Sequence, residues 1–144
     1  MRKIYLIFFL LVFGLSTTGI AAEKSFKATL SGDECVPAVT TKAKGEATFE
    51  LSKDGKELSY NVIVSDIENV TAAHIHQGKK GENGPPVALI DIKGKKGKIT
   101  VNELMSSLKG KTVKDLVEQI ESGNAYINVH TGQHPDGEIR GQIK

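Results

Sequence analysis

Apolar and polar residues alternate in short runs along most of this chain, and this period of two is the feature that most constrains its fold. Ala47, Phe49 and Leu51 share one face of such a run, and turn residues bound each run. The predicted strands include residues 24–30, 45–51, 71–76, 125–131 and 138–143. Short strands at this spacing predict an all-β Greek-key sandwich or barrel of roughly seven strands.

One segment has a different period. Between Thr112 and Glu121 the apolar residues recur at helical spacing, and Thr112 and Asp115 are placed to form a capping box. Gly123 follows as a helix stop. The sequence therefore predicts one short helix inserted late in the β-fold.

Two expectations concern how the strands are arranged. Residues 87–92 and 98–101 are expected to complete the middle of the sheet. In the last strand the alternation places Ile139 inward, and Glu138 and Arg140 on the outward face.

The first 22 residues have the three parts of a secretory signal peptide. A basic start at Arg2 and Lys3 is followed by an apolar stretch over residues 4–15 and a small-residue cleavage site over residues 19–22. The apolar stretch is too short for a membrane anchor, which needs about 20 residues. The sequence predicts a signal peptide (1–22) and one mature domain (23–144) that is secreted or periplasmic, without stable membrane insertion.

The charge balance excludes one class of partner. The chain has 19 basic and 17 acidic side chains, and two of the basic ones lie in the predicted signal peptide, so the mature domain is formally neutral. A neutral domain gives no electrostatic basis for binding nucleic acid or an anionic membrane surface.

The chain has a single cysteine, Cys35, which cannot form a disulfide within the chain. Burial is the favoured interpretation, because free cysteine is among the most buried residue types. A dimer linked through Cys35 and a role as a soft metal ligand remain alternatives.

All four histidines fall in two short stretches, His74 and His76 in AAHIHQG, and His130 and His134 in NVHTGQHPDGEIRG. Residues two apart in a strand point to the same face, so His74 and His76 project together. If the two strands are neighbours, the imidazoles converge in the way that copper and zinc favour. The predicted metal ligands are therefore all four histidines, with copper preferred over zinc. The alternative is that the histidines hold loops in place.

Several segments occur in the order seen in CHRD domains, a family first described in chordin. They are TLSGDECVP, GEATFELSKDGKELSYNVIVSDIENVTAAHIHQG, GENGPPVALI and SGNAYINVHTGQHPDGEIRGQI, and the resemblance runs from about Phe26 to Ile143. It implies a domain of extracellular type, and bacterial members are mostly exported single domains without an assigned activity. The chain departs from the family at Glu34-Cys35-Val36-Pro37, where Glu-Val-Pro is usual.

The layout of the histidines also looks, more distantly, like copper–zinc superoxide dismutase, a Greek-key β-sandwich. That likeness implies copper at His74, His76 and His130, with His134 as a fourth ligand and Arg140 guiding an anion. Too few histidines remain for a separate zinc site. The sequence predicts an exported CHRD-domain protein that binds copper or another transition metal. It favours a binding protein over an enzyme. The alternatives are a metal-free structural or adhesive extracellular module and a small copper-dependent oxidoreductase.

Overall fold

A computed structural model describes residues 23–144 as a nearly all-β domain with one short α-helix, which confirms the predicted fold class. The predicted signal peptide lies outside the described residues. The helix, α1, spans Val113–Glu121, and two 3-10 helices span Gly32–Glu34 and Ser106–Leu108. The strands are β1 (Ser25–Ser31), β2 (Lys44–Leu51), β3 (Leu58–Ser65), β4 (Val70–Gln77), β5 (Pro86–Ile90), β6 (Lys96–Ile99), β7 (Ala125–Thr131) and β8 (Ile139–Gln142).

The strands form one antiparallel sheet in the order β5-β4-β7-β8-β1-β2-β3-β6. Strands β1 to β3 are consecutive neighbours, whereas the β3–β4 and β6–β7 connections cross between distant strands in a Greek-key manner. The edge strands β5 and β6 approach each other, so the sheet is a nearly closed barrel. The expectation that these two segments lie mid-sheet was wrong, because strand pairing follows contacts distant in sequence rather than chain order.

Alternating residues of the strands fill the interior of the barrel. Phe49, Leu58, Ile75 and Ile127 are all fully buried, and Leu116 packs α1 against the same core. Each such side chain contributes about 1.5–3 kcal/mol when it leaves water, so the core can stabilise the fold without a disulfide. None of the helices described between residues 23 and 144 has the length and apolar character that a membrane span needs.

The helix begins and ends where the sequence predicts. The Thr112 hydroxyl accepts a hydrogen bond from the Asp115 backbone N–H, and the Asp115 carboxylate accepts one from the Thr112 N–H at 2.7 Å. These reciprocal bonds form the predicted capping box. Gly123 adopts φ +71°, a left-handed conformation that glycine tolerates and that ends the helix.

Arg140 lies on the outward face of β8, as predicted, but this face is covered by protein rather than open to solvent. Glu138 and Arg140 are only 8% and 2% exposed. The Arg140 guanidinium donates to the Lys79 backbone oxygen at 2.9 Å and to the Asn83 side-chain oxygen at 3.3 Å. The loop between β4 and β5 therefore lies over this face, and strand alternation alone does not reveal a covering loop.

Candidate metal centre

Three of the four histidines come together on one face of neighbouring strands. β4 carries His74 and His76 and pairs with β7, which carries His130, so the two histidine-bearing strands do meet. Across the pair, His74 lies opposite Asn128, and His130 lies opposite Ala72, whose short side chain leaves room for the rings. Ile75, between the two histidines of β4, points into the core and is fully buried.

The three rings form a compact triangle. Their centroids are 5.8 Å apart for His74 and His76, 5.2 Å for His74 and His130, and 5.5 Å for His76 and His130. Each residue offers one ring nitrogen such that all three nitrogens lie within 4.8 Å of one another. The Nε2 atoms of His76 and His130 lie 3.4 Å apart.

Backbone carbonyls fix the tautomers of two of these rings. His76 Nδ1 lies 2.9 Å from the Gly84 oxygen, and His130 Nδ1 lies 2.8 Å from the Pro135 oxygen. A carbonyl oxygen only accepts hydrogen bonds, so Nδ1 carries the hydrogen in each of these two rings. In a neutral ring the lone pair is then on Nε2. When both rings are neutral, the two Nε2 atoms face each other as two acceptors with no hydrogen between them.

Burial favours the neutral forms of His74 and His76. His76 is 8% exposed, and burial lowers its pKa to about 4, although the hydrogen bond to Gly84 acts in the opposite direction. The pKa of His74 is also lowered, first by burial and then by the charge of His130. His74 Nδ1 is in addition a buried nitrogen without a hydrogen-bond partner. Neutral imidazoles with free lone pairs are the form in which histidine binds metals.

Tyr126 and Gly84 support the cluster from behind, and neither was predicted to do so. The Tyr126 ring stacks on His76 at 5.1 Å between centroids, and its hydroxyl accepts a hydrogen bond from the Gly84 N–H at 3.1 Å. Gly84 then presents its carbonyl to His76. A Cβ at Gly84 would collide with the Gln77 backbone oxygen, so this turn requires glycine. The position of a loop carbonyl cannot be read from the sequence. The two-residue period of a strand, in contrast, places Tyr126 on the same face as His130.

His134 and Arg140, which the sequence associates with the same centre, occupy other positions. His134 lies in the turn between β7 and β8 and is not part of the group of converging nitrogens. Its backbone N–H donates to the Thr131 hydroxyl at 3.1 Å. Arg140 stacks on the Tyr126 ring, 3.5 Å from its centroid, while His76 approaches that ring from the neighbouring strand on the other side.

Cys35 is buried, as predicted, and does not join the histidines. Its sulfur lies 3.8 Å from the Gly137 oxygen, and burial raises the pKa of the thiol to about 11. A protonated, buried thiol is a poor nucleophile and a poor metal ligand. Because Cys35 is buried, the fold gives no support to a dimer linked through it.

The fold and this cluster define a class: a Greek-key β-barrel domain with three converging histidines on its outer face. A model of the CHRD domain family matches residues 26–143, which is nearly all of the described chain. The chain belongs to the CHRD domain family. Searches of curated proteins and of solved structures gave no significant match.

Proposed function

We propose that this chain is an exported protein that binds copper, or another transition metal, through His74, His76 and His130. The support for export is the predicted signal peptide together with membership of a family first described in an extracellular protein. The support for metal binding comes from the three histidines themselves.

The arrangement of His76 and His130 carries the proposal. Two unprotonated nitrogens that face each other at 3.4 Å repel unless a cation lies between or beside them. A proton is a poor candidate at His76, because burial lowers its pKa to about 4. A metal ion would turn the Nε2 lone pairs of His76 and His130, and one ring nitrogen of His74, into ligands.

The distance between His76 and His130 fits a bound ion. Two nitrogens bound at about 2.0 Å in a tetrahedral site lie about 3.3 Å apart, close to the 3.4 Å between His76 and His130. The three nitrogens lie within 4.8 Å of one another, so the widest separation can exceed that of a tetrahedral pair by about 1.5 Å, and metal binding would require the His74 ring to turn toward the ion.

The donor set favours copper among divalent ions. The ligands are three neutral imidazoles, without a carboxylate or thiolate in the cluster. Nitrogen sites bind Cu²⁺ more tightly than Zn²⁺ in the usual order of affinities. The carbonyls of Gly84 and Pro135 orient two of the rings in the way that second-sphere groups orient metal-bound histidine.

Calorimetric titration with copper(II) and zinc(II) tests the proposal, with His130→Ala and His134→Ala as a matched pair of variants. We expect about one copper per chain, tighter binding of copper than of zinc, loss of tight binding in His130→Ala, and no loss in His134→Ala. Absence of binding in the unaltered protein would refute the proposal and leave a metal-free structural or adhesive module. If copper binds, superoxide turnover of the loaded protein separates a copper-binding protein from a copper-dependent oxidoreductase.

A further inference from the structure

A separate cavity lies between the 3-10 helix region after β1 and the turn between β7 and β8. Its volume is about 260 Å³. The cavity is lined by Arg140, by the apolar side chains of Val36, Val39 and Pro135, and by His134. None of the three converging histidines lines it, so it is distinct from the candidate metal centre.

The guanidinium of Arg140, which lines the cavity, is a buried cation without an acidic partner. Arg140 is 2% exposed, and among residues 23–144 it has no ion pair with a carboxylate. Its two hydrogen bonds, to Lys79 and Asn83, use fewer than half of the N–H groups that a guanidinium carries. The Tyr126 ring, 3.5 Å from the guanidinium carbon, compensates part of this buried charge, and a bound anion would compensate more of it.

The nearby acidic groups do not supply that compensation. The Glu138 carboxylate is engaged by the hydroxyls of Thr41 and Thr131, at 2.7 and 2.8 Å. Asp136 lies at the rim of the cavity and is exposed, so water screens its charge. Cys35, which also lines the cavity, is a neutral thiol.

We propose that this cavity binds a small organic carboxylate, whose charged end contacts Arg140 and whose apolar body lies against Val36, Val39 and Pro135. A planar guanidinium matches the geometry of a carboxylate and forms charge-assisted hydrogen bonds to it. The cavity is slightly smaller than the usual range of ligand sites, which begins at about 300 Å³, so the ligand is small. This site does not depend on metal binding at the histidines.

Propionate and propionamide are suitable probes, because they have the same size and shape and differ in charge. Titrations followed by amide chemical shifts should show saturable changes for propionate at Asn83 and Gly137, with a dissociation constant on the order of 1 mM or below. Propionamide should bind at least about tenfold more weakly. Equal responses to the two probes, or no saturable response to propionate, would overturn the proposal.

Two variants locate the binding. Arg140→Lys keeps the charge but loses the planar group, and we expect about a tenfold loss of propionate affinity. Val36→Trp fills the cavity from a position that is 38% exposed and leaves Arg140 unaltered, so it should abolish binding in a folded protein. Val101→Trp, at a position 54% exposed and outside the cavity, is the control and should bind like the unaltered protein. Unchanged affinity in Val36→Trp would show that propionate binds elsewhere and would refute the assignment.

Discussion

Acid should weaken the metal-free protein through His76, in a pH range that the structure specifies. Burial lowers the pKa of His76 from 6.5 to about 4, so between these values the unfolded chain binds a proton that the folded chain does not. The contribution of a neutral His76 to the stability of the fold is therefore fully present above pH 6.5 and is lost as the pH falls toward 4. Burial lowers the pKa of His74 as well, which adds a loss in the same direction.

The size of this loss follows from the shift. At about 1.4 kcal/mol per pKa unit, the lowering of the His76 pKa from 6.5 to about 4 corresponds to about 3.5 kcal/mol, and partial contact of the cluster with solvent reduces the expected value to about 2 kcal/mol. Urea unfolding in the presence of a chelator at several pH values between 7.5 and 4 measures it. His76→Asn is the control, since it keeps a donor near Gly84 but does not titrate. Parallel pH profiles of the two proteins would show that His76 does not cause the loss of stability.

Three further predictions concern individual positions. Thr112→Ala removes the hydroxyl that caps α1, and urea unfolding should show a loss of about 1 kcal/mol; an unchanged midpoint would argue against the cap. Gly137→Ala places a Cβ against the Asn128 amide at φ +118°, so we expect a loss of at least about 2 kcal/mol in the same assay, and a tolerated alanine would contradict the backbone described. Cys35 should react with a thiol reagent far more slowly in the native protein than in urea, and equal rates would show that it is not buried.

Much of the fold could be predicted because its signals are local. Side-chain alternation identifies the strands, and the Thr112–Asp115 pair marks the start of the helix, because both depend on residues close in sequence. The edge positions of β5 and β6 could not be predicted in this way. They depend on which distant strands pair, and a Greek-key chain returns to the sheet far from where it left.

The candidate site shows the same division. The shared face of His74 and His76 follows from the two-residue period, and the convergence of His130 requires only that β4 and β7 be neighbours. His134 was grouped with them on sequence proximity, but the turn after β7 takes it away from the cluster. The burial of Arg140 depends on a loop that folds back over β8, and the alternation pattern contains no information about that loop.

X-ray absorption at the copper edge tests the central claim most directly, using the purified protein loaded with one equivalent of copper(II) and freed of excess metal. We expect the copper to be retained, with about three imidazole nitrogens at about 2.0 Å and no sulfur ligand. The same measurement on His134→Ala should be unchanged. Copper that washes out, a ligand shell of oxygens alone, or a sulfur contribution from Cys35 would contradict a metal centre at His74, His76 and His130.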